Sequence, residues 1–344
     1  MKRLRIAIAV LQDGPGMVAL GLAELFRKSA QLASTLPSHR ERPELDVKLV
    51  GKGRTVTVAD GQRLPCDLTF ASSKQFDLVV VPALDPSEVA GLANNRGAAS
   101  WVQRAHERGA DVASVCTGAF VLAEAGLLEG RRATTHWAFQ DVLASRFPKV
   151  RLESQAIIVD EGRVCTAGGA TSFISLALYL VERLLGPETA ALASKMYLID
   201  INKAPQGAYA IFSPQKLHGD HAILTAQSRI ERDLARADSL SDVAAGVAMS
   251  LRTFSRRFKR ATGNTPREYV QRARVEAAKR SLAASTHPLT TIAAKVGYGD
   301  VVAFRKVFAR HTGLTPGDYR RRYGAFDLPS VVRSGKSRRR TRSA

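Results

Sequence analysis

FSRRFKRATGNTPREY, residues 254–269, is answered fifty positions later by FRKVFARHTGLTPGDY, residues 304–319. Phe254, Phe258, Arg260, Thr262, Gly263, Thr265, Pro266 and Tyr269 each recur as the same residue type. An internal repeat names the unit of architecture before any other pattern does. A unit of about 50 residues that occurs only twice predicts two copies of a small helical module rather than a solenoid. Within the first copy the helix signals are orderly. Ser250 is placed to cap a helix over 251–261, with Leu251, Phe254, Phe258 and Ala261 as its inner stripe. Gly263 ends it in the manner of a C-cap. Thr265, Pro266 and Glu268 then fall at N-cap, N1 and N3 of a long helix running to about Ala284.

Ser239–Ala248 reads as a short helix before the first copy, with Ser239 and Asp242 at capping-box spacing. The second copy repeats the plan: Thr291–Val296, a turn at Gly297-Tyr298-Gly299, and a helix from Val301 to His311. Two helices joined by a tight turn, the second basic on its outer face, describe a helix-turn-helix. The long intervening helix spans roughly 27 Å. It suits a rigid spacer between modules set about one DNA turn, roughly 34 Å, apart. Before this block, 222–236 has helical spacing, with Ile223, Leu224, Ile230 and Leu234 as its stripe.

The charge is distributed accordingly. The formal net charge is +20, and residues 225–344 hold 26 Lys/Arg against 9 Asp/Glu, a net of +17. The first 224 residues are close to neutral, with 25 against 22. A basic block joined to a near-neutral one implies a polyanion partner for the former. The final GKSRRRTRSA has no apolar period and reads as a disordered tail.

The first 202 residues follow another grammar. Leu4–Leu11 is an apolar run that ends near Gly14-Pro15-Gly16, a buried strand and a turn. Asp46–Val50, Phe76–Leu84 and Asp111–Val115 are further apolar strands, and helical spacing separates them. Ala156–Val159 and Val164–Thr166 read as a hairpin before the apolar helix Thr171–Leu185. Strands alternating with helices predict an α/β layered fold with a mostly parallel sheet. Cys66, Cys116 and Cys165 are too few, and wrongly spaced, for a disulfide framework or a zinc site, so the expected compartment is the cytoplasm. No apolar run approaches the roughly 18 residues of a membrane span, so no membrane partner is expected. No metal and no cofactor are called for.

In ASVCTGAF, residues 113–120, a strand runs into a helix with Cys116 at the bend, as in a nucleophile elbow. The helix terminus there is expected to lower the thiol pKa, and His136 in TTHW is a candidate partner. Spacing alone leaves a buried structural cysteine equally open.

ASVCTGAFVLAEAGLLEGRRATTHW, followed by CTAGGATSFISLALYLVER, resembles the PfpI-like, class I glutamine amidotransferase-like superfamily. That resemblance implies a flavodoxin-like fold over residues 1–202. It carries the reactive thiol of the enzymatic relatives to Cys116 and their histidine to His136, with Thr117 beside them. Those enzymes place a carboxylate near the thiol. Here Gly14–Ala23 contains no Asp or Glu, although Asp13 and Glu24 flank it, and Ser175 stands where related regulators usually have Asp. Without such a group hydrolysis lacks a general acid/base. The expectation is a small-molecule effector pocket at Cys116, Thr117 and His136 with no catalytic residue; the alternative is a cysteine-dependent amidase- or peptidase-like enzyme tethered to DNA.

Residues 222–324 resemble the AraC-type DNA-binding domain, because Gly-x-Thr-Pro-x-x-Tyr ends both copies at the family's spacing. The resemblance assigns base reading to Arg252, Ser255 and Arg256 in the first copy and to Val301, Val302, Arg305 and Lys306 in the second. Arginine pairs with guanine, whereas valine can only touch a thymine methyl, so the two copies are expected to read unequally. Taken together, the chain resembles AraC-family regulators with a PfpI-like domain. The expected plan is an α/β sensor over 1–202, a linker over 203–221, an all-α domain of two helix-turn-helix modules over 222–324, and a tail over 325–344. The expected function is effector-controlled transcription regulation, as an activator, with double-stranded DNA, a second subunit in a homodimer and RNA polymerase as partners.

Overall fold

In the computed structural model the chain divides into two compact units between Ile211 and Phe212. The described residues are 3–36, 43–199, 204–237 and 239–324; the tail expected over 325–344 lies outside them.

The first unit opens with β1 (Arg3–Val10), α1 (Gly16–Ser34) and β2 (Glu44–Gly51). A hairpin, β3 (Thr55–Thr57) and β4 (Arg63–Pro65), precedes β5 (Leu68–Thr69) and β6 (Leu78–Val81). Then come α2 (Arg96–Glu107), β7 (Asp111–Val115), α3 (Ala119–Glu124), β8 (Arg132–Ala133), α4 (Gln140–Arg146) and β9 (Arg151–Leu152). The hairpin β10 (Ile158–Asp160) and β11 (Val164–Ala167) leads to α5 (Ser172–Leu185), α6 (Pro187–Met196) and the single turn α7 (Gln206–Tyr209). Seven strands form one sheet in the order β10-β11-β7-β6-β1-β2-β5. All its pairings are parallel except β10 with β11.

The apolar runs follow from this placement. Successive side chains of a strand point to opposite faces, and both faces of β1 are covered. Ile6, Ile8 and Val10 enter one core with Leu22 and Phe26 of α1 and Leu176 and Leu180 of α5. Ala7, Ala9 and Leu11 enter the other with Trp101 and Val102 of α2 and Phe120 and Leu122 of α3. A central parallel strand therefore has no polar face to show.

The second unit is helical: α8 (His221–Arg232), α9 (Leu240–Ala245), α10 (Leu251–Thr262), α11 (Pro266–Ala284), α12 (Leu289–Lys295), α13 (Val301–Thr312) and α14 (Pro316–Tyr323). It has two cores, and α11 serves both. Its first half gives Tyr269 and Val270 to a core with Phe254 and Phe258. Its second half gives Val275, Ala278 and Leu282 to a core with Phe304 and Phe308.

Three local expectations change. Leu251 is 48% exposed rather than part of the inner stripe, because it is the first residue of α10 and lies beyond the core. The stripe of α8 is Ile223, Ala226, Gln227 and Ile230, with Leu224 only half-buried. Ser239 forms no side-chain cap on α9; its hydroxyl meets Ser241 at 3.3 Å instead.

Candidate functional site

The repeated residues build a scaffold. Phe254, Phe258, Phe304 and Phe308 are fully buried. Thr262 Oγ1 donates to the Phe258 carbonyl at 2.9 Å and accepts the Asn264 N–H at 3.2 Å. Thr312 does the same with Phe308 at 2.8 Å and Leu314 at 3.2 Å. Gly263 and Gly313 close α10 and α13 at φ 75° and 70°, a region that favours glycine. Thr265 and Thr315 cap the following helices through their hydroxyls.

The outer faces differ from this frame in composition and from each other. Arg252, Arg256, Arg305 and Lys306 are exposed, Ser255 and Val301 are half-buried, and Val302 is 56% exposed. Among the described residues the four cations make no hydrogen bond or ion pair. Other cations of the unit are engaged. Arg257 grips Asp220 through Nε at 2.6 Å and Nη2 at 3.1 Å. Arg274, buried, donates to the Leu234 carbonyl at 2.9 and 2.7 Å. Lys279, also buried, pairs with Glu276 at 3.1 Å. The sequence does not distinguish Arg257 and Arg274 from the exposed cations, because their partners lie 37 and 40 residues away; Glu276, by contrast, is one turn from Lys279 on the same helix.

The N-caps aim the recognition helices. Ser250 Oγ accepts the Thr253 N–H at 3.3 Å, and the Asp300 carboxylate accepts Val302 and Ala303 N–H at 2.8 and 3.2 Å. The turns before them differ in length. Met249 N–H donates to the Ala244 carbonyl in the first copy, and Tyr298 N–H to the Ala293 carbonyl in the second, a spacing of 49. From Ser250 to Asp300 the spacing is 50. The second turn therefore holds one extra residue.

In the first unit Cys116 leaves β7 at φ 57°, a left-handed conformation uncommon for any residue but glycine. Two residues on, a Cβ at Gly118 would meet the Pro82 and Val81 carbonyls at 2.4 and 2.6 Å, so the chain crosses β6 only as glycine. Thr117 is buried, and its hydroxyl donates to the Leu84 carbonyl at 2.9 Å while accepting the Leu84 N–H at 2.8 Å. The Thr135 hydroxyl donates to the Cys116 carbonyl at 2.8 Å. The bend is thus braced from two sides.

The Cys116 thiol is buried. Burial pushes the Cys116 pKa up, against the lowering bonds of Thr117. This reverses the expected direction, because α3 has only six residues and desolvation outweighs its terminus. His136 is half-buried, its Nδ1 accepts the Ala138 N–H at 3.1 Å, and burial pushes its pKa down. Among the described residues no hydrogen bond joins Cys116 and His136. Of the flanking carboxylates, Asp13 accepts from Gln12 at 2.8 Å, and Glu24 lies near enough to Tyr197 to add to the rise that burial gives its pKa. A separate cavity of about 420 Å³ lies along α5 and α6, walled by Ile158, Leu178, Tyr179 and Ala190, with Ser175 and Glu182 beside them. No described helix is long and apolar enough to cross a membrane.

Comparison with known proteins agrees with this division. The DJ-1/PfpI family model matches residues 26–183, and a helix-turn-helix domain model matches residues 243–322. The HTH-type transcriptional regulator GbdR of Pseudomonas aeruginosa is 24% identical over 279 residues, which cover 78% of this chain and 72% of that one. The isonitrile hydratase of Pseudomonas putida is 33% identical over 193 residues, 55% of this chain and 81% of the hydratase. A crystal structure from Vibrio parahaemolyticus shares the fold at a TM-score of 0.50 and 21% identity, covering 57% of this chain and 99% of that one. Two helix-turn-helix modules with free cations on their outer faces, joined to a DJ-1/PfpI unit, define a DNA-binding transcription regulator. The chain belongs to the AraC-type regulators that carry an N-terminal DJ-1/PfpI domain.

Proposed function

We propose that the second unit reads a directional, non-palindromic half-site and that the first unit controls it by binding a small-molecule effector. The observation that carries the reading is the unequal pair of outer faces. Arg252 and Arg256 are exposed on α10 and have no partner among the described residues, and arginine forks onto guanine O6 and N7. Ser255 sits between them. On α13 the corresponding first turn offers Val301 and Val302, which suit thymine methyls, followed by Arg305 and Lys306. The effector is assigned to the elbow of Cys116, Thr117 and His136. The chain works in the cytoplasm as a homodimer and activates transcription through RNA polymerase. It does so without catalysis, since Cys116 is buried and, among the described residues, bonded to no base.

Removing residues 1–211 tests this division. The remaining unit is expected to bind the same sites on a genome-wide map and to lose its response to effector. A fragment that binds no duplex even at low salt overturns the assignment. An enzymatic reading is favoured by the left-handed conformation of Cys116 and the likeness to a hydratase. Incubation with an isonitrile decides it. Formation of the hydrated product by the parent chain, lost in Cys116→Ser, would make the first unit an enzyme.

A further inference from the structure

We propose that the trough between the two helix-turn-helix modules is a phosphate site, in which Arg267 and Arg310 hold the DNA backbone where it passes from one major groove to the next. The proposal rests on both recognition helices engaging one duplex.

Arg267 and Gln271 stand one turn apart on α11 and line two adjoining cavities. One, of about 560 Å³, is closed by Leu240 and by Gly299, Asp300 and Ala303 at the start of α13. The other, of about 490 Å³ and open to solvent, is lined by Thr265, Glu268, Arg310 and His311. Ala303 and Arg310 are seven residues apart and so share one side of α13. That side adjoins the outer face of Val302, Arg305 and Lys306. The trough therefore runs beside the reading surface, from the first module to the second. Recognition helices about one helical turn apart on one side of a duplex leave the intervening backbone facing the protein between them. What lies there is phosphate, which positions a protein without informing it of sequence.

Arg267 is hard to explain otherwise. It is the second residue of α11, where the positive end of the helix dipole favours acidic side chains. It is exposed and makes no hydrogen bond or ion pair among the described residues. The second copy has Gly317 at the same place, so the scaffold does not require a cation. Arg310 is different, because its Nη2 donates to Gln271 Oε1 at 2.7 Å, which aims the guanidinium into the trough. His311 adds a buried Nε2 with no hydrogen-bond partner among the described residues, where the first copy has Ala261. Glu268 opposes the site. It is the carboxylate of the second cavity, and it repels a phosphate that the two guanidinium groups attract.

The test uses the full chain and duplexes it enriches from a random pool. Binding is measured by fluorescence anisotropy from about 50 to about 200 mM salt. One lost phosphate contact should reduce the slope of log affinity against log salt by about 0.9. Arg267→Ala is expected to show that loss with an unchanged base-preference logo, and Arg267→Lys to restore the slope. Glu268→Gln is expected to bind more tightly with the same logo, a gain that misfolding cannot produce. An Arg267→Ala slope equal to that of the parent overturns the phosphate site, and so does a change at one base position. The underlying reading fails in a different way: the parent chain would enrich no duplex, or Arg252→Ala would leave the logo intact.

Discussion

Phe258 in the first module and Phe308 in the second are both fully buried, and each meets a tyrosine edge-on, Tyr269 at 5.1 Å and Tyr319 at 5.5 Å. Eight positions before each tyrosine's phenylalanine partner the two modules already diverge, with Ser250 against Asp300 as helix cap. On the outer faces Arg252 stands against Val302 and Arg256 against Lys306. The inner residues repeat because closing a helix, a left-handed turn and the next helix over one aromatic pair is the same packing problem twice. The outer residues differ because the surface they meet need not repeat. Similar scaffolds with dissimilar faces predict equal stability costs inside and unequal binding costs outside.

The largest effects test the first half of that statement. Phe258→Ala and Phe308→Ala should each cost about 3–5 kcal/mol. Urea unfolding of the full chain measures both. A cost below about 1 kcal/mol at either position would break the equivalence of the cores. Next in size is the contrast outside. Arg256→Ala should cost about 1–3 kcal/mol of binding and relax preference at one base. Val302→Ala should cost less, since it removes only apolar contact. An unchanged logo in Arg256→Ala would leave the arginine to the phosphates and remove the asymmetry.

Much of this was legible in the sequence for a physical reason. Gly263, Thr265 and Pro266 are local signals whose meaning needs no distant partner, and they placed α10 and α11 closely. The apolar strands were equally plain, because a strand covered on both faces has no polar period to hide it. What failed to show was anything settled across the fold. Arg257 and Arg256 are neighbours of like chemistry, yet among the described residues only the first finds a carboxylate, Asp220, supplied from α8's cap. The elbow at Cys116 is visible in ASVCTGAF, and there a lowered thiol pKa and a buried structural cysteine stand equally open. The thiol's desolvation is not visible there, since that depends on the surrounding elements. Gln206, in a stretch read as linker, is buried and donates to Thr134 Oγ1 at 2.8 Å. Its partner lies 72 residues away. The one-residue difference between the turns was also missed, because the identities that reveal the repeat lie beyond both of them.

That turn offers a smaller effect with opposite signs in the two modules. Ala248 adopts φ 53° where its counterpart Gly297 adopts 89°. Left-handed backbone costs a residue with a Cβ roughly 1 kcal/mol. Ala248→Gly should therefore be neutral to stabilising, by up to about 1 kcal/mol after the entropy glycine adds to the unfolded chain. Gly297→Ala should be destabilising by more than that, because the new Cβ would meet Arg274 Nη2 at 2.6 Å and the Ala235 Cα at 2.9 Å. Thermal unfolding of the two variants reads the signs directly. Equal and opposite shifts would mean that only the backbone angle matters and that the second turn is no more crowded than the first.

The smallest effect belongs to an ion pair that only one module has. Arg257 in α10 bonds Asp220, whereas the second copy has Val307 at the corresponding place. The Arg257 bond, with help from the Ile223 N–H and His218, holds the Asp220 carboxyl below its ordinary value against the opposing pull of burial. A carboxylate whose pKa is depressed on folding stabilises the fold above its unfolded value of about 3.9, and that contribution is lost as pH falls through the lower, folded value. Arg257 is 40% exposed, so screening keeps the pair to under about 1 kcal/mol. Arg257→Met keeps the apolar stem and removes the charge, while the Asp220 cap on Ile223 N–H at 3.2 Å survives. The parent chain should therefore lose slightly more stability than this variant between about pH 5 and about pH 3. Parallel acid curves would place the pair among surface contacts of no energetic weight. The first module would then differ from the second in what it presents to DNA, and not in how it is held together.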